Sequence, residues 1–272
     1  MAIITLSRGT FSGGSRLANC LAANLGYRLV SREVLVQAAA RSGVDERELL
    51  RGLEQPPSLW DRLRVQRQLY LAVIGAALCR QVRDGDVVYH GNAGHLLLAG
   101  IDHLIRVRAI TPLATRIREA TAAHGFDARE AEDYIRRKDD DRIKWTRFLY
   151  GVEWHDPVLY DLVINLDKVT IDAACQTIAC LAERREYALT PEGRARIDDL
   201  ALAYDVKALL FRLPKVAAAA STLAITVANG AVTLSGLLPD EAFRDEVLKT
   251  VASAPGVTAV HADWLGGRFA AV

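Results

Sequence analysis

The fold is decided by residues 3–26, which read IITLSRGTFSGGSRLANCLAANLG. The stretch begins as a short strand rich in β-branched residues and continues through a turn of glycine and serine. Apolar residues then recur at helical spacing at Leu17, Leu21 and Leu25, and Gly26 ends the predicted helix. This order of strand, glycine turn and helix is the layout of a phosphate-cradling loop, because the free N–H groups that open a helix attract anions.

The lysine that such a loop normally carries is missing. In the motif G-x-x-x-x-G-K-[ST], taking Gly13 as the second glycine puts Arg8 at the first glycine, Gly14 at the lysine and Ser15 at the magnesium-binding hydroxyl. Shifting the register by one residue puts Ser15 at the lysine, so neither register supplies an ammonium group. We therefore predict anion binding at the helix start with Arg8 as the charge, and an ordinary strand–turn–helix connection remains the alternative.

The composition limits the classes of protein that this chain can belong to. Its 272 residues are 51% hydrophobic and 25% charged with a formal net charge of +1, which predicts a folded chain of one large or two smaller domains. Balanced charge and the lack of aromatic–basic interleaving argue against a nucleic-acid partner. The longest apolar run is too short to span a bilayer, the four cysteines form no CxxC, and no export signal is seen, so we expect a cytoplasmic protein.

The rest of the first 182 residues alternates strand and helix patterns. Short apolar strands are predicted over 86–91, 103–110 and 160–166, and helical patterns over 32–43, 45–54, 59–85, 112–125, 127–151 and 170–186. Alternation of this kind predicts an α/β fold, with a parallel sheet covered by helices on both faces.

The character of the chain changes after residue 182. We predict one domain over 1–182, a linker over 183–196, a small α+β domain over 197–266 and a tail over 267–272. The small domain follows the order αββαβ, and its two alternating strands meet at Asn229-Gly230, a strong hairpin signal.

Several stretches of the larger domain together carry a family resemblance. In chain order they are ITLSRGTFSGGS (4–15), VVYHGNAGHLL (87–97), HLIRVRAITPLATRI (103–117), EAEDYIRRKDDDRIKW (130–145) and LYGVEWHDPVLYDLVINL (149–166). The set resembles the cytidylate-kinase-like family, a branch of the P-loop nucleoside monophosphate kinases whose loop typically lacks the lysine. The resemblance covers nearly all of residues 1–182.

This resemblance implies ATP with Mg²⁺ as the phosphoryl donor and a mobile lid that carries arginines. By position, the phosphate loop would be formed by Ser7, Arg8, Ser12, Gly13, Gly14 and Ser15, with Ser15 helping to hold the metal. The residues expected to act in catalysis are Arg8, Arg137 and Arg142, and those expected to bind the acceptor are Ser31, Arg32, Asn92 and Asp139. Phosphoryl transfer is mostly positioning and charge neutralisation, which clustered arginines provide.

Two departures from the family pattern keep a second function open. Where the family has Gly-Arg-Gly after the central strand, this chain has Gly91-Asn92-Ala93 and so lacks a charge for a substrate phosphate. Phe11 takes a place usually given to glycine, and its bulk is expected to crowd the loop. The alternative to an active kinase is therefore a catalytically degenerate nucleotide sensor or assembly scaffold.

The C-terminal unit resembles a BON domain over about residues 197–265. The stretch ITVANGAVTLSG (225–236), the following helix and APGVTAV (254–260) carry this resemblance. It implies that the unit binds a phospholipid or protein partner, and a purely structural or dimerising module that forms a homo-oligomer is the alternative.

Overall fold

The computed structural model describes residues 2–40, 64–91, 93–213, 223–238 and 241–267. The strands are β1 (Ile3–Arg8), β2 (Arg28–Ser31), β3 (Val87–His90), β4 (Leu104–Ile110), β5 (Leu162–Asn165), β6 (Ala224–Ala228), β7 (Ala231–Leu238) and β8 (Ala259–Gly267). The α-helices are α1 (Gly14–Leu25), α2 (Arg32–Ala40), α3 (Arg64–Val82), α4 (Gly94–Leu97), α5 (Leu113–His124), α6 (Ala128–Tyr150), α7 (Ile171–Ala182), α8 (Pro191–Leu210) and α9 (Glu241–Ala252). Asn92, the predicted helix over 45–54 and residues 268–272 of the predicted tail lie outside the described residues.

The described residues divide into two compact units. The first contains residues 2–35 and 84–190, and the second contains 36–40, 64–83 and 191–267. The domain limits predicted from sequence remain a prediction, but the second unit includes α3 as well as the C-terminal residues. The predicted linker over 183–196 holds the 3-10 turn Arg185–Tyr187 and the start of α8, because Pro191 suits the first position of a helix.

A five-stranded parallel sheet forms the centre of the first unit. Its strand order is β2-β3-β1-β4-β5, and all of its described pairings are parallel. Residues of β1 are buried on both faces, as expected for a central parallel strand. The predicted α/β class with a parallel sheet is confirmed.

Helices pack on both faces of this sheet. Ile4 and Leu6 belong to a buried cluster with Leu17 and Leu21 of α1 and with Ile178 of α7. The opposite face of β1 meets α4, where a Cβ added to Gly94 would lie 3.4 Å from Thr5 Cγ2. The edge strand β2 and the four-residue α4 were not among the elements predicted by periodicity, because both are very short.

The second unit has its own sheet and apolar core. Strand β7 lies between β6 and β8, antiparallel to β6 and parallel to β8, and the hairpin falls at Asn229-Gly230 as predicted. The core joins Val206 of α8, Val232 of β7 and Val247 of α9 with other apolar side chains. The small α+β unit with the order αββαβ is therefore confirmed.

No described helix is long and apolar enough to cross a membrane.

Candidate active site

The loop between β1 and α1 is held in a tight curve by its own polar groups. Gly13 has φ 79° and precedes α1, and its carbonyl accepts the first helical bond from the N–H of Leu17 at 3.1 Å. The buried Ser12 hydroxyl donates to the carbonyl of Gly9 at 2.9 Å, and Thr111 Oγ1 donates to the carbonyl of Ser12 at 2.9 Å. The loop is thus preshaped, with the N-terminus of α1 at its end.

Phe11 fits this curve with its side chain directed away from the helix start. Its φ of 57° lies in the left-handed region, which a residue other than glycine adopts only under constraint. The ring contacts His124 and Tyr134, with centroids 5.3 and 6.1 Å away, and packs against a small cluster of α5 and α6. The expected crowding of the loop is therefore wrong, because the left-handed backbone turns the ring towards these helices.

Arg8 lies across the first residue of α1. A Cβ added to Gly14 would come within 2.5 Å of Arg8 Cδ, so the two residues are in close contact. Arg8 Nε donates to Nε2 of His90, and the Ser15 hydroxyl lies 3.4 Å from the same nitrogen. Burial, with the neighbouring positive charges of Arg142 and Arg32, lowers the pKa of Arg8 to about 10, which leaves it charged at neutral pH.

Asp139 connects the lid-like sequence of α6 to this loop. Its carboxylate accepts from the N–H and hydroxyl of Thr10, both at 3.3 Å, and from Arg142 Nη1 at 2.9 Å. Arg116 Nη2 donates to the other carboxylate oxygen at 2.5 Å, while its Nε donates to the Thr10 carbonyl at 2.7 Å. Two largely buried arginines and one aspartate therefore fix the loop against α5 and α6.

Arg142 and Arg32 bring further charge close to Arg8. Burial lowers the pKa of Arg142, the Asp139 carboxylate opposes this shift, and the charges of Arg116 and Arg32 reinforce it. Arg32 begins α2 directly after Ser31, the last residue of β2, and it influences the pKa of both other arginines. Like charges gathered in this way favour an anionic ligand.

Ser7 lies below the loop in a buried polar network. The Trp154 indole N–H donates to Ser7 Oγ at 3.0 Å, and the Tyr160 hydroxyl is 3.4 Å from that oxygen. The buried Arg108 guanidinium lies over the Trp154 ring at 4.3 Å and donates to Tyr160 and to the Trp154 carbonyl. Ser7 therefore contacts the segment that follows α6 and is not at the phosphate-facing surface of the loop.

Arg137 lies on the exposed side of α6, beside Tyr134. Its guanidinium lies 5.7 Å from the centroid of the Tyr134 ring. The structure thus brings Arg8, Arg32, Asp139 and Arg142 together but leaves Arg137 outside this group.

A small pocket adjoins the other side of the loop. It has a volume of about 200 Å³, and its walls come from the loop itself, from α5 and from the segment between β5 and α7. Phe11, Thr115 and Leu166 are among its lining residues. Its size suits a heterocyclic base rather than a whole nucleotide.

Sequence reasoning missed four residues that build this site. They are His90, Arg108, Arg116 and Trp154. His90 and Arg108 are polar residues within otherwise apolar strands, a local signal that could have drawn attention to them. Arg116 and Trp154 reach the loop only through tertiary contacts, so their pattern in the sequence gives no comparable signal.

Comparison with known proteins identifies the family and the fold of the first 168 residues. Residues 3–168 match the Cytidylate kinase-like family. A cytidylate kinase from Ignicoccus hospitalis is 28% identical over 181 residues, covering 65% of this chain and 97% of that protein. A cytidylate kinase from Methanopyrus kandleri is 25% identical over 179 residues, covering 62% of this chain and 87% of that protein. An uncharacterized protein from Eubacterium ventriosum shares the fold, with a TM-score of 0.54 at 20% identity over 68% of this chain and all of that structure.

The strand–loop–helix geometry and these relatives define the class as a P-loop kinase fold. Because the family match spans more than half of the sequence, the chain belongs to the cytidylate kinase-like family.

Proposed function

We propose that this protein is a nucleoside monophosphate kinase that transfers a phosphoryl group from ATP to an acceptor such as CMP. The observation that carries the proposal is the position of two arginines at the phosphate loop: Arg8 lies against Gly14 at the start of α1, and Arg142 Nη1 donates to Thr10 Oγ1 of the loop at 2.6 Å. The charge of Arg32 acts on both of them. Three guanidinium groups and the loop N–H groups form the environment that a transferring phosphoryl group requires.

The donor nucleotide is assigned to the loop and its adjoining pocket. The pocket beside Phe11 receives the base, and the loop from Ser12 to Ser15 receives the phosphates. Mg²⁺ bound with ATP would neutralise phosphate charge, and the exposed Ser15 hydroxyl is a suitable oxygen ligand for it.

The acceptor is assigned to the side of Ser31 and Arg32. Arg32 and Arg142 would bind its phosphate, while Asp139 keeps Arg142 in place through the ion pair at 2.9 Å. Asn92 and Arg137 complete the predicted acceptor and lid residues, and Arg137 would act once the lid moves.

The test is a turnover assay with the purified full chain, ATP, Mg²⁺ and a panel of nucleoside monophosphates. We expect CDP and ADP to appear together in equal amounts with CMP as acceptor. Arg142→Met should abolish or strongly lower turnover, whereas Arg136→Met, which removes an exposed charge of the same helix, should leave turnover unchanged. Absence of diphosphate product with every acceptor would contradict the proposal.

A catalytically degenerate nucleotide sensor or scaffold is the second candidate. It is favoured by the Asp139 carboxylate, which already accepts from a loop N–H and from two arginines that a phosphate would otherwise use. This alternative predicts that ATP raises the thermal unfolding temperature while no acceptor is phosphorylated.

We further propose that the second unit is a BON-like binding module in a cytoplasmic protein. Its αββαβ order and the tight Asn229-Gly230 hairpin support this assignment. Sedimentation with phosphatidylglycerol vesicles tests it in the full chain; binding is expected for a phospholipid ligand. Lack of binding would leave a protein partner or homo-oligomer formation, which sedimentation velocity of the same sample distinguishes.

A further inference from the structure

His90 lies where the central sheet meets the phosphate loop. It is the last residue of β3, and the parallel register places it beside Leu6 of β1 and Ser31 of β2. The side chain is half-buried. The sheet therefore holds the imidazole between the loop and the start of α2.

The hydrogen bond from Arg8 requires that Nε2 of the His90 imidazole carries no proton. A guanidinium nitrogen only donates hydrogen bonds, so Nε2 of His90 must present a lone pair to Arg8 Nε. The Ser15 hydroxyl, 3.4 Å away, approaches the same nitrogen. One ring atom thus connects the arginine to the first turn of α1.

The partner of Arg8 Nε also differs from the partners of the other loop arginines. Arg116 and Arg142 both donate to the Asp139 carboxylate, which neutralises part of their charge. Arg8 donates to a neutral ring, so this bond orients the guanidinium without neutralising it. The close approach of Gly14 confines the Arg8 stem from the other side, because any larger residue there would meet Arg8 Cδ.

We propose that His90 is a positioning residue that holds Arg8 across the start of α1, where its charge takes the part of the missing loop lysine. The Nη groups of Arg8 then face the phosphates of the donor nucleotide. This inference rests on the proposed function in one respect, namely that the anion bound at the loop is the polyphosphate of a nucleotide.

A double-mutant cycle on binding tests the proposal in the full chain. Calorimetric titrations with ATP and with inorganic tripolyphosphate would compare the wild type, His90→Leu, Arg8→Met and the double variant. When Arg8 is present, we expect His90→Leu to lower the affinity for ATP and for tripolyphosphate about tenfold. When Arg8 is replaced by Met, His90→Leu should change neither affinity. Tripolyphosphate isolates the phosphate contacts from those of the base.

His90→Gln provides the conservative rescue, since its amide oxygen can accept a hydrogen bond at a similar reach. It should bind both ligands within about threefold of the wild type. His103→Gln, which alters another buried histidine, should leave the affinities unchanged. Thermal unfolding of each variant checks the fold, and if His90→Leu does not fold, His90→Asn replaces it in the cycle, because its amide is one bond shorter than that of Gln and should not reach Arg8 Nε.

Equal losses of affinity from His90→Leu (or from His90→Asn in its place) with and without Arg8 would overturn the proposal, as would wild-type affinity in that variant or no tripolyphosphate binding by the wild type. Coupling between the two residues without turnover of any monophosphate would support the role of His90 while contradicting the kinase assignment.

Discussion

The two units of this molecule differ in how many polar residues they bury. Among the described residues, the polar and charged ones that are buried as whole residues, from Thr5 to Thr146, lie in the first unit. The second unit has an apolar core, and its ion pairs Arg80–Asp205 and Arg83–Asp198 are exposed by a third or more of each side chain. Burying a polar group costs free energy unless the group is hydrogen-bonded. The concentration of such groups in the first unit therefore indicates a functional site there, because stability alone does not require them.

Two aspartates show the same contrast at residue level. Asp139 accepts from the loop N–H of Thr10 and from two largely buried arginines, whereas Asp199 accepts only from backbone N–H groups among its described bonds, those of Asn229 and Gly230 at 2.8 and 2.9 Å. A helical carboxylate that accepts from the backbone N–H groups of a loop or turn is therefore not evidence of a binding site by itself. The arginines around Asp139 make the difference.

The largest expected effect is the difference in the free energy of unfolding between the variants Asp139→Ala and Asp199→Ala. Asp139→Ala should lower the free energy of unfolding by about 4 kcal/mol, because it leaves Arg116 and Arg142 buried without their partner. Asp199→Ala should cost about 1 kcal/mol, since it removes hydrogen bonds at an exposed hairpin. Urea unfolding of both variants measures the two costs, and equal losses would remove the distinction between the units.

Acid should destabilise the first unit through His95. Burial, aided by the charges of Arg106 and Arg108, lowers the pKa of His95 to about 4, and its Nε2 has no hydrogen-bond partner in the described chain. Because the folded pKa lies below the ordinary value near 6.5, stability is complete above that pH and falls as the pH drops from about 6.5 to 4, by at most about 3 kcal/mol.

The pH dependence has a matched control in the second unit. His95→Phe should reduce the fall in stability over that window without abolishing it, because burial lowers the pKa of His90 in the same unit to about 4 as well. His261→Gln, at an exposed histidine of β8, should leave the fall unchanged. Thermal unfolding at a series of pH values provides the measurement. An unaltered slope in His95→Phe would assign the acid sensitivity to another group.

Two glycines at opposite ends of α1 separate binding from stability. Gly14→Ala should weaken ATP binding about tenfold, about 1.4 kcal/mol, because the new Cβ displaces Arg8. Gly26→Ala should cost about 1 kcal/mol of stability at φ 67° and leave ATP affinity unchanged, because nothing lies near its Cβ. Isothermal titration and urea unfolding distinguish them; unchanged ATP affinity in Gly14→Ala would contradict this role of the contact.

The smallest expected effect on stability is at Arg137. Because its side chain is exposed on α6, Arg137→Ala should change the free energy of unfolding by less than about 0.5 kcal/mol. Turnover should nevertheless fall, as expected of a lid arginine. Steady-state assays beside thermal unfolding test both parts, and full activity in the variant would remove Arg137 from the catalytic set.

Local pattern was sufficient for most of the fold. Strand β1, the glycine turn and α1 were predicted because apolar periodicity and glycine both act over a few residues. Strand β2 was missed because two of its four residues, Arg28 and Leu29, are exposed at the sheet edge. The sequence pattern predicts that α8 starts at residue 197, because Pro191 and Gly193 are typical of a linker, whereas the helix begins at Pro191.

The candidate site was predictable only in part. The loop and Arg142 follow from the sequence, but the meeting of Arg116 with Asp139, or of Trp154 with Ser7, depends on contacts between distant segments. Periodicity carries no information about such pairs. The direction of the Phe11 ring was likewise set by its left-handed backbone, which the residue type alone does not predict.

The position of α3 has a consequence for how this chain can be divided. Helix α3 packs along α8, and Gly75 lies directly against the Tyr204 ring, so residues separated by more than a hundred positions complete one unit. During synthesis α3 leaves the ribosome more than a hundred residues before α8, so the surface that α3 packs against α8 stays exposed to solvent in the meantime. A chain truncated after residue 190 would keep the kinase-like sequence but leave the apolar surface of α3 exposed, and it should aggregate. The C-terminal residues are therefore needed for the solubility of the preceding part of the chain.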